Sequence, residues 1–246
     1  MDFQVDINEE KRSIVADRVI EVHHSFGLMP ETLYLTFHII DQYLSKEKVS
    51  GTELLLVGIS ALLIASKYEE SRPLKNIDYG GILCQAYTKE QMLAKERAIM
   101  KTLKWKLSVP TQYVFLVRFL KVAMCDKESV YITQLEHMVF FLAELGLMHY
   151  SMVTCRPSLA AASAVYAARS TLKRTPLWTQ TLMHHTGYSE QQLRKCAQQL
   201  VVFHSAAATA EIKLQAVYKK YSSTKFGAVA LHLPATGLLR SSHHAR

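Results

Sequence analysis

The chain has 246 residues, 49% of them hydrophobic and 20% charged, and a formal net charge of +8. That balance is ordinary for a packed globule of one large domain or two small ones. No apolar run reaches the ~18–20 residues of a membrane span, and the longest, 54–66, falls short.

The charge is uneven. Residues 1–105 hold 13 Lys and Arg against 15 Asp and Glu, whereas residues 106–246 hold 16 against 6. A basic second half suits a solvated surface, an acidic protein or nucleic acid, but there is no block of Lys and Arg with interleaved aromatics to sharpen the last of these. The opening MDFQVDINEEKR has neither a basic n-region nor an apolar h-region, so no signal peptide is expected and the chain reads as intracellular. Cys84, Cys125, Cys155 and Cys196 are isolated in sequence, which predicts reduced thiols rather than a disulfide frame or zinc site.

Glycine and proline are sparse, nine and six, and apolar residues recur at helical spacing. Helices are predicted over about 8–26, 31–44, 52–67, 76–86 and 89–104, parted by GLMP and KVSG and closed by SVPT. A second set is predicted over about 111–123, 128–149, 157–172, 177–186 and 190–208, parted by CRPS, RTP and TGYS, with a short helix near 211–220. After about 222 periodicity fades, and 223–246 is expected to be an exposed, mobile tail.

The two sets resemble each other. YTKEQM at 87–92 matches YSEQQL at 188–193, and each opens a long helix with a capping box, Thr88 with Gln91 and Ser189 with Gln192. Upstream, ALLIASK at 61–67 aligns with SAVYAAR at 163–169, so both matches lie ~100 residues apart and imply a duplicated five-helix unit. In each unit the central helix lacks a polar face and is expected to be buried all round.

Two charges interrupt this apolar pattern. Met92, Glu96, Ile99 and Leu103 form one stripe of helix 89–104, and a carboxylate on such a face must be paired or lie at an interface. Lys95 or Lys101 swinging back is one answer. Lys67 ends the run LLLVGISALLIAS, where a helix C-terminus favours a cation. Use of both residues as a polar clamp for another protein is the alternative.

No enzyme constellation is found: G-x-S-x-G, the P-loop, H-E-x-x-H and G-x-G-x-x-G do not occur. The histidine pairs 23–24, 184–185 and 243–244 are adjacent residues that point to different helix faces, so neither metal nor cofactor is expected.

The phrases LMPETLYLT (28–36), LLVGISALLIASKYEE (55–70), VPTQYVFLVRFLK (109–121), MVFFLAELGLM (138–148), SLAAASAVYAARSTL (158–172) and HHTGYSEQQLRKCA (184–197) resemble a cyclin, of the plant mitotic B type. The resemblance spans nearly the whole chain. It implies an all-α fold of tandem five-helix cyclin boxes, here 1–108 and 109–222 before the tail. It implies a non-enzymatic regulatory subunit that forms a heterodimer with a cyclin-dependent kinase and activates it at the G2/M transition, in nucleus and cytoplasm. Nucleic acid and membrane are not expected as partners.

Residue by residue, the resemblance makes Lys67 and Glu96 the pair that grips the kinase, with Tyr68, Leu103, Trp105 and Leu107 on the same surface. Arg12 and Asp41 resemble the pair that braces the first helix against the second, and Leu56 matches the apolar position on the central helix.

The sequence also departs from the family. The substrate-docking patch of B cyclins is degenerate: Arg12 and Glu21 remain, but Lys11, Val15 and Arg18 stand for a methionine, a leucine and a tryptophan, and Gly51 and Leu55 for an arginine and a glutamine. Replacing an indole by a guanidinium removes apolar contact area, so weakened docking of substrates is expected. SRPLKNIDYGG at 71–81 lacks a tryptophan and a Pro-Glu of the family pattern. The family's N-terminal degradation segment is expected to be missing, since the first box opens almost at Met1. These departures leave a second reading, a divergent adaptor that binds a kinase or another partner without strong activation.

Overall fold

The computed structural model describes residues 4–74, 87–124, 129–209 and 214–240. Among them the regular structure is helical, with no strand. The chain divides into two compact units, Met1–Thr111 and Gln112–Arg246.

In the first unit, α1 spans Glu9–Ser25, α2 Pro30–Leu44, α3 Leu54–Glu69 and α4 Lys89–Thr102. Local chemistry sets the starts. The Asn8 side chain accepts from the Lys11 backbone N–H at 2.8 Å, and Glu9 and Glu10 occupy the positive end of α1. Pro30 opens α2, where its missing N–H costs nothing. The α3 helix has no polar face: Leu56 to Ser66 are all buried, and α1, α2 and α4 pack around it. Gly58 permits that packing, because a Cβ there would stand 2.8 Å from Val15 Cγ1 and 3.0 Å from Val19 Cγ2 of α1. The helix predicted at 76–86 lies outside the described residues.

The second unit contains α5 (Gln112–Met124), α6 (Ser129–Met148), α7 (Pro157–Thr171), α8 (Gln180–Thr186), α9 (Glu190–Ala207), α10 (Ala216–Ser222) and the short α11 (Gly237–Arg240). Its central helix is α7, buried without interruption from Ala160 to Arg169 and packed by α5, α6 and α9. At the start of α9 the Gln192 side chain accepts from the Ser189 backbone N–H at 2.8 Å, the counterpart of the Gln91–Thr88 contact at 2.7 Å in α4. A buried ion pair ties α10 to α6: Lys220 Nζ donates to both oxygens of Glu144, at 2.7 and 2.9 Å, and Tyr221 Oη donates to the same carboxylate at 2.7 Å. Cys155 and Cys196, far apart in sequence, meet at 3.8 Å, while Cys84 and Cys125 lie outside the described residues.

The expectation of a mobile tail over 223–246 is corrected for residues 223–240. Val229 and Ala230 are buried, Gln198 Nε2 donates to the Leu238 carbonyl at 2.8 Å, and the rings of Tyr221 and Phe226 lie 5.0 Å apart. The segment packs through two 3₁₀ turns, Thr224–Phe226 and Val229–Leu231, with Gly227 at φ 65° between them. Such turns carry no 3.6-residue period, so the sequence pattern fades although burial continues.

Burial is expected to make this unit acid-sensitive. His204 contacts the Ala230 carbonyl at 3.2 Å, and desolvation lowers its pKa, as it does for His137. Each binds its proton more weakly folded than unfolded, so the stability they hold is complete above the unfolded value of ~6.5 and is lost as pH falls toward the folded one. Urea unfolding followed by circular dichroism is expected to show a lower midpoint at about pH 5 than at about pH 7, and His204→Gln is expected to flatten that dependence.

Candidate functional site

The two charges singled out by the sequence meet. Lys67 sits in the last turn of α3 and Glu96 midway along α4, and Lys67 Nζ donates to both carboxylate oxygens, each at 2.8 Å. The capping box at Thr88 fixes where α4 begins and hence which face Glu96 occupies. Met92, Ile99 and Leu103 of the same stripe are buried, and the Glu96 side chain is only 11% exposed. A carboxylate in that setting needs a cation, and Lys67, 45% exposed, brings one from the rim. Lys95, an alternative partner on sequence grounds, instead bonds Glu53 at 3.3 Å.

Around the pair lies a groove of about 440 Å³ lined by Ile64, Lys67, Tyr68, Glu96, Arg97, Met100, Trp105 and Leu107. Its most unusual member is Trp105, 75% exposed. Lys104 and Trp105 both adopt left-handed backbone, φ 51° and 60°, as the chain leaves α4, with the Trp105 N–H bonded to the Met100 carbonyl at 3.0 Å. Non-glycine residues there cost on the order of 1 kcal/mol or more each. The turn holds an indole out in solvent, beside exposed Tyr68, while Leu107 folds back under cover. Exposed aromatics beside a charge pair make an amphipathic contact surface.

Leu103 is the exception among the residues expected on this surface: it is buried on the inner stripe of α4 and does not line the groove. Sequence reasoning missed Ile64, Arg97 and Met100. Helical spacing could have found two of them, since Ile64 precedes Lys67 by one turn and Met100 follows Glu96 by one turn.

The predicted brace is bidentate, with Arg12 Nε and Nη2 donating to the two oxygens of Asp41, both at 2.9 Å. The guanidinium also lies over the Phe37 ring at 5.7 Å. Leu56 is buried in the core of α3.

The degenerate docking patch is occupied by polar contacts of its own. Lys11 Nζ donates to the Asp6 carbonyl at 2.7 Å and to its carboxylate at 3.3 Å, while Asp6 Oδ2 accepts from the Gly51 N–H at 2.7 Å. That amide and Lys11 hold the Asp6 carboxyl below its usual pKa. A Cβ at position 51 would lie 2.8 Å from Lys11 Nζ, so the glycine and the lysine fit together. Arg18 is paired with Glu21 at 2.6 Å, Val15 is buried against Gly58, and Leu55 is half-buried.

Comparison with known proteins agrees with this architecture. Residues 1–108 match the family described as cyclin, N-terminal domain, and residues 110–235 the family described as cyclin, C-terminal domain. Cyclin-B1-1 of Oryza sativa subsp. japonica is 54% identical over 98% of this chain and 53% of its own length. The G2/mitotic-specific cyclin S13-7 of Glycine max is 50% identical over 98% of this chain and 91% of its own. A solved viral cyclin from herpesvirus saimiri shares the fold, with TM-score 0.72 over 82% of this chain and 89% of that one, at 20% identity. The chain spans about half the length of several of the curated relatives it matches, 53%, 51% and 48% for three rice cyclins. The chain belongs to the cyclin family, and its likeness there is to plant cyclins of the B type.

Proposed function

We propose that this chain is the regulatory subunit of a cyclin-dependent protein kinase and drives the G2/M transition, acting in nucleus and cytoplasm. The observation that carries the reading is the Lys67–Glu96 pair set in a groove rimmed by exposed Trp105 and Tyr68. A lysine ammonium has three donors and a carboxylate about four acceptor positions, so the internal pair keeps capacity for backbone groups of another chain. The aromatics supply the apolar area that a charge pair alone lacks. The chain itself transfers no group. It binds the active conformer of the kinase better than the inactive one and so shifts the population, moving the regulatory helix of the kinase inward until its glutamate pairs with the ATP-binding lysine.

The polar cluster of Asp6, Lys11 and Gly51 bears on substrates. It favours weak docking of apolar substrate motifs, and it supports the second reading, an adaptor that binds a kinase or another partner without strong activation. Purified chain mixed with a monomeric cyclin-dependent kinase is expected to co-elute with it and raise phosphorylation of histone H1 by at least ~100-fold, roughly 3 kcal/mol in barrier. Co-elution with no rise would select the adaptor, and failure to co-elute would overturn the reading as a kinase subunit.

A further inference from the structure

Cys155 and Cys196 are 41 residues apart in the chain, and their sulfurs stand 3.8 Å apart. Both are free thiols. Cys196 lies in the second turn of α9 and is buried; Cys155 is partly exposed, in the turn between the 3₁₀ segment Tyr150–Met152 and the start of α7. A disulfide needs about 2 Å between sulfurs, so joining these two takes a closing movement of about 2 Å. The turn that carries Cys155 has no helical ladder to break, while α9 holds Cys196 fixed.

The close contact also makes the two thiols unequal: it lowers the pKa of Cys196 and, with burial, raises that of Cys155. Two sulfurs sharing one proton favour a first thiolate and oppose a second, and the thiolate is the form that attacks an oxidant.

We propose that Cys155 and Cys196 are a reversible redox site: hydrogen peroxide closes them into a disulfide clasp within the second unit, and a dithiol reductant reopens it. The Cys196 thiolate attacks one peroxide oxygen, the O–O bond breaks, and the departing hydroxide takes a proton to become water. Cys155 then attacks the sulfenic sulfur as a thiolate, the S–O bond breaks as the S–S bond forms, and a second water leaves. In sum two thiols and one hydrogen peroxide give one disulfide and two waters. The clasp pins the start of α7, the central helix, to α9.

The test uses the full purified chain, treated with hydrogen peroxide and then with iodoacetamide. Intact mass and tryptic mapping are expected to show a single cross-linked peptide pair carrying Cys155 and Cys196, and dithiothreitol is expected to return both to alkylatable thiols. Cys155→Ser is expected to stop at a sulfenic acid on Cys196, trapped by dimedone. Oxidised parent protein is expected to melt several degrees higher, on the order of 5 °C, than reduced protein, with no such shift in Cys155→Ser. Cross-links that instead join Cys84 or Cys125, over-oxidation of either thiol with no link between them, or an unchanged melting temperature with the link formed would each overturn the proposal. None of these readouts involves a kinase, so they stand apart from the reading of the groove.

Discussion

Alanine at both Lys67 and Glu96 is expected to abolish the proposed kinase capture while the chain keeps its helical circular dichroism. The two side chains bond only each other at 2.8 Å in the described structure, so deleting both leaves no charge stranded in the first unit. Alanine is also the best helix former, which offsets part of what is lost in α3 and α4. Lys67→Ala alone is worse for folding, because it strands a carboxylate that is only 11% exposed, at a cost of about 1–3 kcal/mol. The order of stability is therefore parent, double variant, then Lys67→Ala. Kinase affinity follows a different order. Central contacts of an interface are each worth about 2 kcal/mol or more, so the double variant loses at least ~100-fold and both single variants fall below the parent. Trp105→Ala is an independent check: the indole is 75% exposed and supports little of the fold, so its loss weakens capture with little change in melting temperature. Surface plasmon resonance against an immobilised kinase, beside thermal melts, reads both orders. Undiminished binding by the double variant would remove this surface from the interface.

How far the sequence leads depends on whether an element is specified locally. The uncharged run 54–66 could only be a helix buried on every side, and α3 is that helix. The boxes at Thr88 and Ser189 fix where α4 and α9 begin, because side chain and backbone lie within three residues. Glu96 was visible as a misfit on an apolar stripe, and the family resemblance set Lys67 with it, but helical spacing alone pointed to Lys95 or Lys101. Lys95 is adjacent in sequence, and only the packing of α4 on α3 brings in Lys67, 29 residues away. The exposure of Trp105 depends on two successive left-handed residues that lack the glycine which usually announces them. The stretch 223–240 escaped notice because 3₁₀ turns have no amphipathic period, and the meeting of Cys155 with Cys196 because no spacing rule spans 41 residues.

The largest single loss of stability is expected from Glu144→Ala. The Glu144 and Lys220 side chains are 2% and 8% exposed, so the ion pair between them lies in the interior of the second unit. Removing the carboxylate leaves an ammonium with no anion and takes the acceptor from Tyr221. Breaking such a pair costs about 3–5 kcal/mol, or roughly 10 °C in melting temperature for a unit of this size. The magnitude alone does not identify the cause, since any buried truncation leaves a cavity. A second variant separates the two: Glu144→Leu with Lys220→Met and Tyr221→Phe keeps the volume and removes every polar group of the cluster together. If stranded charge dominates, the triple variant returns to within ~1–2 kcal/mol of the parent although it changes three buried residues instead of one. If packing dominates, it stays as unstable as Glu144→Ala. Urea midpoints for the three proteins decide this. Recovery would mean that the cluster adds little net stability and instead selects one register for α10 against α6, because an apolar surface tolerates sliding that a three-way hydrogen bond does not.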